Sequence, residues 1–184
     1  MLKDLVACDF IRSYRNGLKK NGEIYQLMDF YTLFYLQFCA NPSTDRSFWK
    51  NTLNSPMQNT WYGLSYERVC MAHIQEILQA LHLDTIHTEY YSFRSKEKSL
   101  KVQIDMIIDR SDDFVDIIEI KYSRTKYEMS KEEREKIERR VSRFVNETKT
   151  KKGVQTVLIT TLGCEQSRNA DVCQRFLTLD DLFA

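Results

Sequence analysis

A chain of 184 residues with 42% apolar and 29% charged residues, five glycines and two prolines has the make-up of one folded domain, or one domain with a small appendage, and not of a collagen-like, linker-rich or disordered polypeptide. Its net charge of +1 gives no overall attraction to nucleic acid or to an anionic membrane, so any basic surface must come from local clustering. Cys8, Cys39, Cys70, Cys164 and Cys173 lack CxxC spacing and read as free thiols of a reducing cytoplasm, residues 1–10 lack the apolar stretch of a signal peptide, and there is no apolar run of about eighteen residues to span a bilayer.

In chain order, residues 11–14 and 23–27 read as strands joined through a turn at Lys19, Lys20, Asn21 and Gly22, a hairpin. Asp29 is placed to cap a helix over residues 30–38, a run so aromatic that it must pack in a core or against a partner. Pro42 and Pro56 with several Asn, Ser and Thr mark 40–60 as a connector, with a short helix near 45–53. The chain is thus divided at residue 60 into an N-terminal unit, 1–60, and a second unit, 61–184.

From Gly63 onward, Leu64, Val69, Ile74, Ile77, Leu78 and Leu81 recur at helical spacing and predict one amphipathic helix over 63–81. Three strand-like runs follow at 86–93, 102–109 and 114–122, separated by turns at 94–99 and 110–113. Ser130 with Glu133 forms a capping box for a helix to about Val145, then come a β-branched strand at 154–160, a loop at 161–171 and a strand at 172–177. The order α-β-β-β-α-β implies an α/β fold, a mixed sheet with helices on both faces. His73, His82 and His87 read as ordinary imidazoles rather than as a metal cluster.

Three polar residues interrupt strands that should be apolar: Asp105 in the second run, Glu119 and Lys121 in the third. Side chains alternate along a strand, so Glu119 and Lys121 share a face, and pairing through the 112–113 turn brings Asp105 near Glu119. A lone buried charge costs several kcal/mol, on the order of the known desolvation penalties, whereas two carboxylates and an ammonium around a divalent cation relieve one another.

Asp105 followed by Glu119-Ile120-Lys121, within this element order, resembles the PD-(D/E)XK nuclease superfamily. That resemblance implies a restriction-endonuclease-like core and a magnesium- or manganese-dependent endonuclease cleaving DNA with low sequence specificity. Asp105, Glu119 and the Ile120 carbonyl would ligate the cation, and Lys121 would position or help deprotonate the attacking water. Glu67, on the preceding helix, would orient a water beside the cation. Gln103, two residues before Asp105, would touch the phosphate or support Lys121. Lys121, Arg124 and Lys126 would contact DNA phosphates.

The pattern is also similar to the C-terminal region of prokaryotic AAA-type ATPases of the archaeal group, through Asp9-Phe10-Ile11-Arg12, residues 25–31, 63–67, Gln103-Ile104-Asp105, Glu119-Ile120-Lys121, 158–163 and 179–183. That likeness implies a winged-helix remnant in the N-terminal unit and an AAA-type ATPase as partner. No GxxxxGK[ST] phosphate loop is present, so no ATP binding is expected. Further along, Lys136, Arg139, Arg140, Arg143, Lys149, Lys151 and Lys152 interleave with glutamates, which reads as a solvated face with i,i+4 pairs or as a phosphate-contacting ridge. A second functional class stays open beside the nuclease: an inactive DNA- or protein-binding module.

Overall fold

Local chemistry fixes the ends of most elements. The structure, a computed structural model, describes residues 1–15, 17, 23–41, 43–96 and 102–183; the predicted turn at 19–22, Pro42 and part of the turn at 94–99 lie outside them. Helix α1 (Leu2–Ala7) leads into the antiparallel pair β1 (Ile11–Arg15) and β2 (Glu23–Leu27), in register from Ile11↔Leu27 to Arg15↔Glu23. Asp29 caps α2 (Phe30–Phe34) as predicted, its carboxylate accepting from the Thr32 N–H at 2.8 Å. The helix continues as a π-helical turn over Tyr35–Cys39, where Phe34 and Phe38 meet Trp49 of α3 (Phe48–Asn51) and Trp61 edge-on or tilted.

The predicted helix over 63–81 is longer and is broken. It begins as α4 (Pro56–Ala72), because Ser55 accepts from the Gln58 N–H at 3.3 Å and Pro56 sits in the first turn, where its missing N–H has no partner to lose. His73 leaves helical geometry at φ −106, ψ 40, and the chain resumes as α5 (Ile74–Ala80). The apolar spacing runs through the break because Tyr66, Cys70, Ile77, Leu78 and Leu81 enter one core cluster.

The central sheet has the order β3 (Thr88–Arg94), β4 (Gln103–Arg110), β5 (Phe114–Lys121), β6 (Gly153–Thr160), β7 (Arg175–Thr178). The first three strands are antiparallel neighbours, while β5–β6 and β6–β7 are parallel, so the sheet is mixed, as a meander followed by a crossover predicts. Helix α6 (Lys131–Thr148) makes that crossover. On one face α4 and α5 pack on Met106, Ile108, Ile118 and Ile159; on the other, α6 brings Phe144 onto Ile107 and Ile117, and Ile137 onto Leu158. Among the described residues no helix is long and apolar enough to cross a membrane, and all five cysteines are free thiols.

The α6 cap gives a first testable figure. Ser130 Oγ accepts from the Glu133 N–H at 3.2 Å, so Ser130→Ala should lower stability by about 1 kcal/mol in urea unfolding. An unchanged midpoint would show that water replaces the hydroxyl there without loss.

Candidate active site

The sheet opens into a fork between β4 and β5. The ladder joining them ends at Met106↔Ile118, yet β4 continues along β3 to Gln103↔Arg94, and β5 continues along β6 to Lys121↔Thr160. Asp105 and Glu119 are the first residues beyond the last pair, one from each prong. The fork coincides with a β-bulge. Tyr91 pairs with Ile107 and Phe93 with Ile104, so Asp105 and Met106 together oppose Ser92.

The bulge corrects one sequence expectation. Ile104 and Ile107, three residues apart, both enter the core on the α6 face, and Asp105 with Met106 instead lines a cavity beside Met71 and Ile74 on the α4–α5 side. Glu119 and Lys121 keep the alternation of Val115 and Ile117 and face α6. Asp105 therefore does not share Glu119's face. The two carboxylates approach the fork from opposite sides of the sheet.

Helix α6 meets Glu119 and Lys121 with charges of its own. Lys121 Nζ lies 3.1 Å from both Glu119 Oε1 and Glu133 Oε1, and Arg140 Nη1 donates to Glu119 Oε2. Burial works against both cations, but the carboxylates outweigh it, holding Lys121 and Arg140 above their ordinary pKa values. Lys121 is thereby a firmly protonated ammonium, suited to positioning and charge balance rather than to accepting a proton. Arg140 and Glu133 were not singled out as site residues in the sequence. Their signal was present: at i−4 and i+3 from Ile137 they occupy the helix stripe that buries Ile137 and Phe144, where charged residues call for a partner.

From the other side, α4 delivers Glu67. Burial first, then the charges of Asp105 and Glu119, raise its carboxyl from the ordinary 4.5 to about 6, against the opposing pull of Arg68 and Lys121. Asp105, Glu119, Lys121 and Glu67 are thus one electrostatic cluster spanning the fork. Gln103 Nε2 donates to Asp105 Oδ1 at 2.6 Å, so it supports Asp105 rather than Lys121.

The Glu67 shift has a pH consequence. A carboxyl whose folded-state pKa is raised favours the folded state while protonated, and that contribution, present below about 4.5, is lost as pH rises through about 6. Glu67→Gln should accordingly raise the melting temperature in EDTA at pH 8 and leave it unchanged at pH 4. An equal effect at both pH values would remove the electrostatic account.

The remaining predicted residues fall as follows. The Ile120 main chain lies on the part of β5 that has left β4, while its side chain packs against the α4–α5 core. Arg124 donates to Asn54 Oδ1 and lies over the Tyr62 ring at 5.4 Å, so it ties the exit of β5 to α4; Lys126 is exposed. Along α6, Lys131–Glu135, Arg134–Glu138 and Arg143–Glu147 are i,i+4 ion pairs at 3.8, 2.8 and 3.7 Å, the solvated-face arrangement. Lys152 is engaged by Asp109 and the Arg110 carbonyl.

Carboxylate oxygens of Asp105 and Glu119, with Glu67 nearby, are the donor type a hard cation takes, but Lys121 and Arg140 hold Glu119, and the two carboxylates come from opposite faces, so a cation would have to draw Glu119 away from both partners. Among the described residues no three His, Cys, Asp or Glu side chains converge as a ready-made cage. Magnesium does not need one, since it keeps several waters and commonly binds through one or two carboxylates.

No family model and no curated protein matches this sequence. Among solved structures the chain is similar to that of AF1548, a protein of unknown function, at 14% identity and a TM-score of 0.41, over 60% of this chain and 64% of that one. That degree of likeness assigns neither a fold nor an activity.

Proposed function

We propose that this chain is a divalent-metal-dependent nuclease domain of the PD-(D/E)XK type, with a restriction-endonuclease-like core, hydrolysing DNA phosphodiester bonds with low sequence specificity. The observation that carries this reading is the fork: an open step between β4 and β5 with Asp105 on one prong, Glu119-x-Lys121 on the other, and Glu67 within electrostatic reach of all three. The element order from α4 to β6 supports the same reading.

Asp105, Glu119 and the Ile120 carbonyl would hold magnesium or manganese, which when bound polarises the phosphodiester and acidifies water. Lys121, kept protonated, steadies the attacking water and balances charge on the phosphorane. Glu67, ionised above pH of about 6, accepts that water's proton or orients it. Gln103 holds Asp105 in its rotamer. Lys121 and Lys126 would face the phosphate backbone, Arg124 holds the loop between them, and among the described residues no element presents a set of side chains suited to reading base edges. In the setting the sequence resembles, the domain would work beside an AAA-type ATPase.

One observation favours a second reading. Glu119 is already neutralised by Lys121 and Arg140, as expected of a closed, inactive DNA- or protein-binding module. Supercoiled plasmid incubated with magnesium, manganese or EDTA separates the two. Nicking that requires the cation supports the enzyme, whereas plasmid retention in a gel shift without nicking in any metal supports the module.

A further inference from the structure

The N-terminal hairpin does more than cover the sheet. Between β1, the α4–α5 break and β3–β4 lies a cavity of about 600 Å³ whose wall includes Arg12, Tyr14, Met71, Tyr90 and Asp105, with Asp9 also lining it. Asp105 belongs both to this cavity and to the fork. The cavity's volume is that of a small-molecule site, where about 300–1,000 Å³ is usual.

Arg12 is the unusual group. Its guanidinium lies over the Tyr14 ring at 5.0 Å and its Nη2 contacts the Met71 sulfur, while Nε is buried with no hydrogen-bond partner among the described residues. A thioether and an aromatic face are weak partners for a desolvated cation, and burial, with Arg68 nearby, lowers the Arg12 pKa more than the attraction of Asp105 across the cavity raises it. Such a group gains most from an anion that takes its planar donors in pairs, which is phosphate or carboxylate. Tyr90, 52% exposed, and Tyr14 add aromatic faces on the same cavity. An arginine beside stacking rings suits one nucleotide unit: base against ring, phosphate against guanidinium.

We propose that this cavity, resting on the nuclease reading above, takes one unpaired nucleotide of the DNA strand flanking the scissile phosphate, so that the enzyme prefers strand ends or single-stranded junctions to closed duplex. The cavity is open on one side, but a volume of about 600 Å³ has no room for a paired duplex. A base must be unstacked first, and an overhang supplies one without that penalty.

The test compares a labelled duplex carrying a three-nucleotide overhang with the blunt duplex of the same sequence, by fluorescence anisotropy in calcium. The expected result is overhang binding tighter by about 10-fold, as one stacked base gives. Arg12→Gln and Tyr90→Ala should each bring that ratio close to 1; Tyr90 is half-exposed, so its removal leaves the core intact even if Arg12→Gln misfolds. A wild-type ratio near 1, binding of neither duplex, or a ratio unchanged in both variants overturns the proposal. Competition by a free deoxynucleoside monophosphate at micromolar concentration also overturns it, by assigning the cavity to a free nucleotide. Plasmid nicking is read separately. Nicking without overhang preference defeats this inference alone, and overhang preference without nicking defeats the nuclease alone.

Discussion

Asp105→Asn is expected to reduce magnesium-dependent plasmid nicking by about 10²-fold or more, the scale of losing a group that fixes charge at a reacting centre. The substitution keeps shape and removes only a negative charge, and Gln103 can still hydrogen-bond the remaining oxygen. It should not destabilise the fold. Asp105 repels Glu67 but attracts Arg12 and Arg140, and these effects oppose one another, so in EDTA the variant should melt within a few degrees of the wild type. Lost nicking with a melting temperature close to that of the wild type separates chemistry from folding. Retained nicking would mean that Asp105 is only a polar bulge residue.

Phe144→Ala carries the largest expected loss of stability. Phe144 is 1% exposed on α6, packs edge-on against Phe93 at 5.4 Å and lies among Ile107, Val115 and Ile117. Removing a buried phenylalanine ring loses both transfer free energy and packing, about 3–5 kcal/mol. Domains of this size have about 5–15 kcal/mol in total, so the variant should lose between about a fifth and the whole of that margin. Phe176→Ala, at a 47% exposed position, is the matched control and should change stability by less than about 1 kcal/mol. If the two variants lost stability equally, α6 would not anchor the sheet as described.

The contrast between those two phenylalanines shows what the sequence could convey. Alternation and helical spacing are local signals, so the strand pair holding Ile11 and Leu27, the caps at Asp29 and Ser130, and a mixed sheet of a three-strand meander, a crossover helix and a further strand were legible from them. The His73 break was not, because the apolar face of α4 and α5 runs through it uninterrupted. The bulge at Asp105 was hidden for a different reason. Nothing in Gln103-Ile104-Asp105-Met106 marks which residue is extra; only the register against Tyr91 and Phe93 decides it. Hence the placing of Asp105 and Glu119 on neighbouring strands was legible, and the face each one takes was not. Arg140 reads as one of a basic run on α6; its spacing from Ile137 already sets it on the inward stripe, and only the tertiary packing supplies its partner, Glu119.

Calorimetric titration of manganese into the wild-type protein and Asp105→Asn at pH 8 bears most directly on the fork as a cation site. The expected result is one saturable site per wild-type chain, lost in the variant, with Lys121 and Arg140 yielding Glu119 to the incoming charge. Identical heats for the two proteins, or no saturable uptake by either, would contradict it.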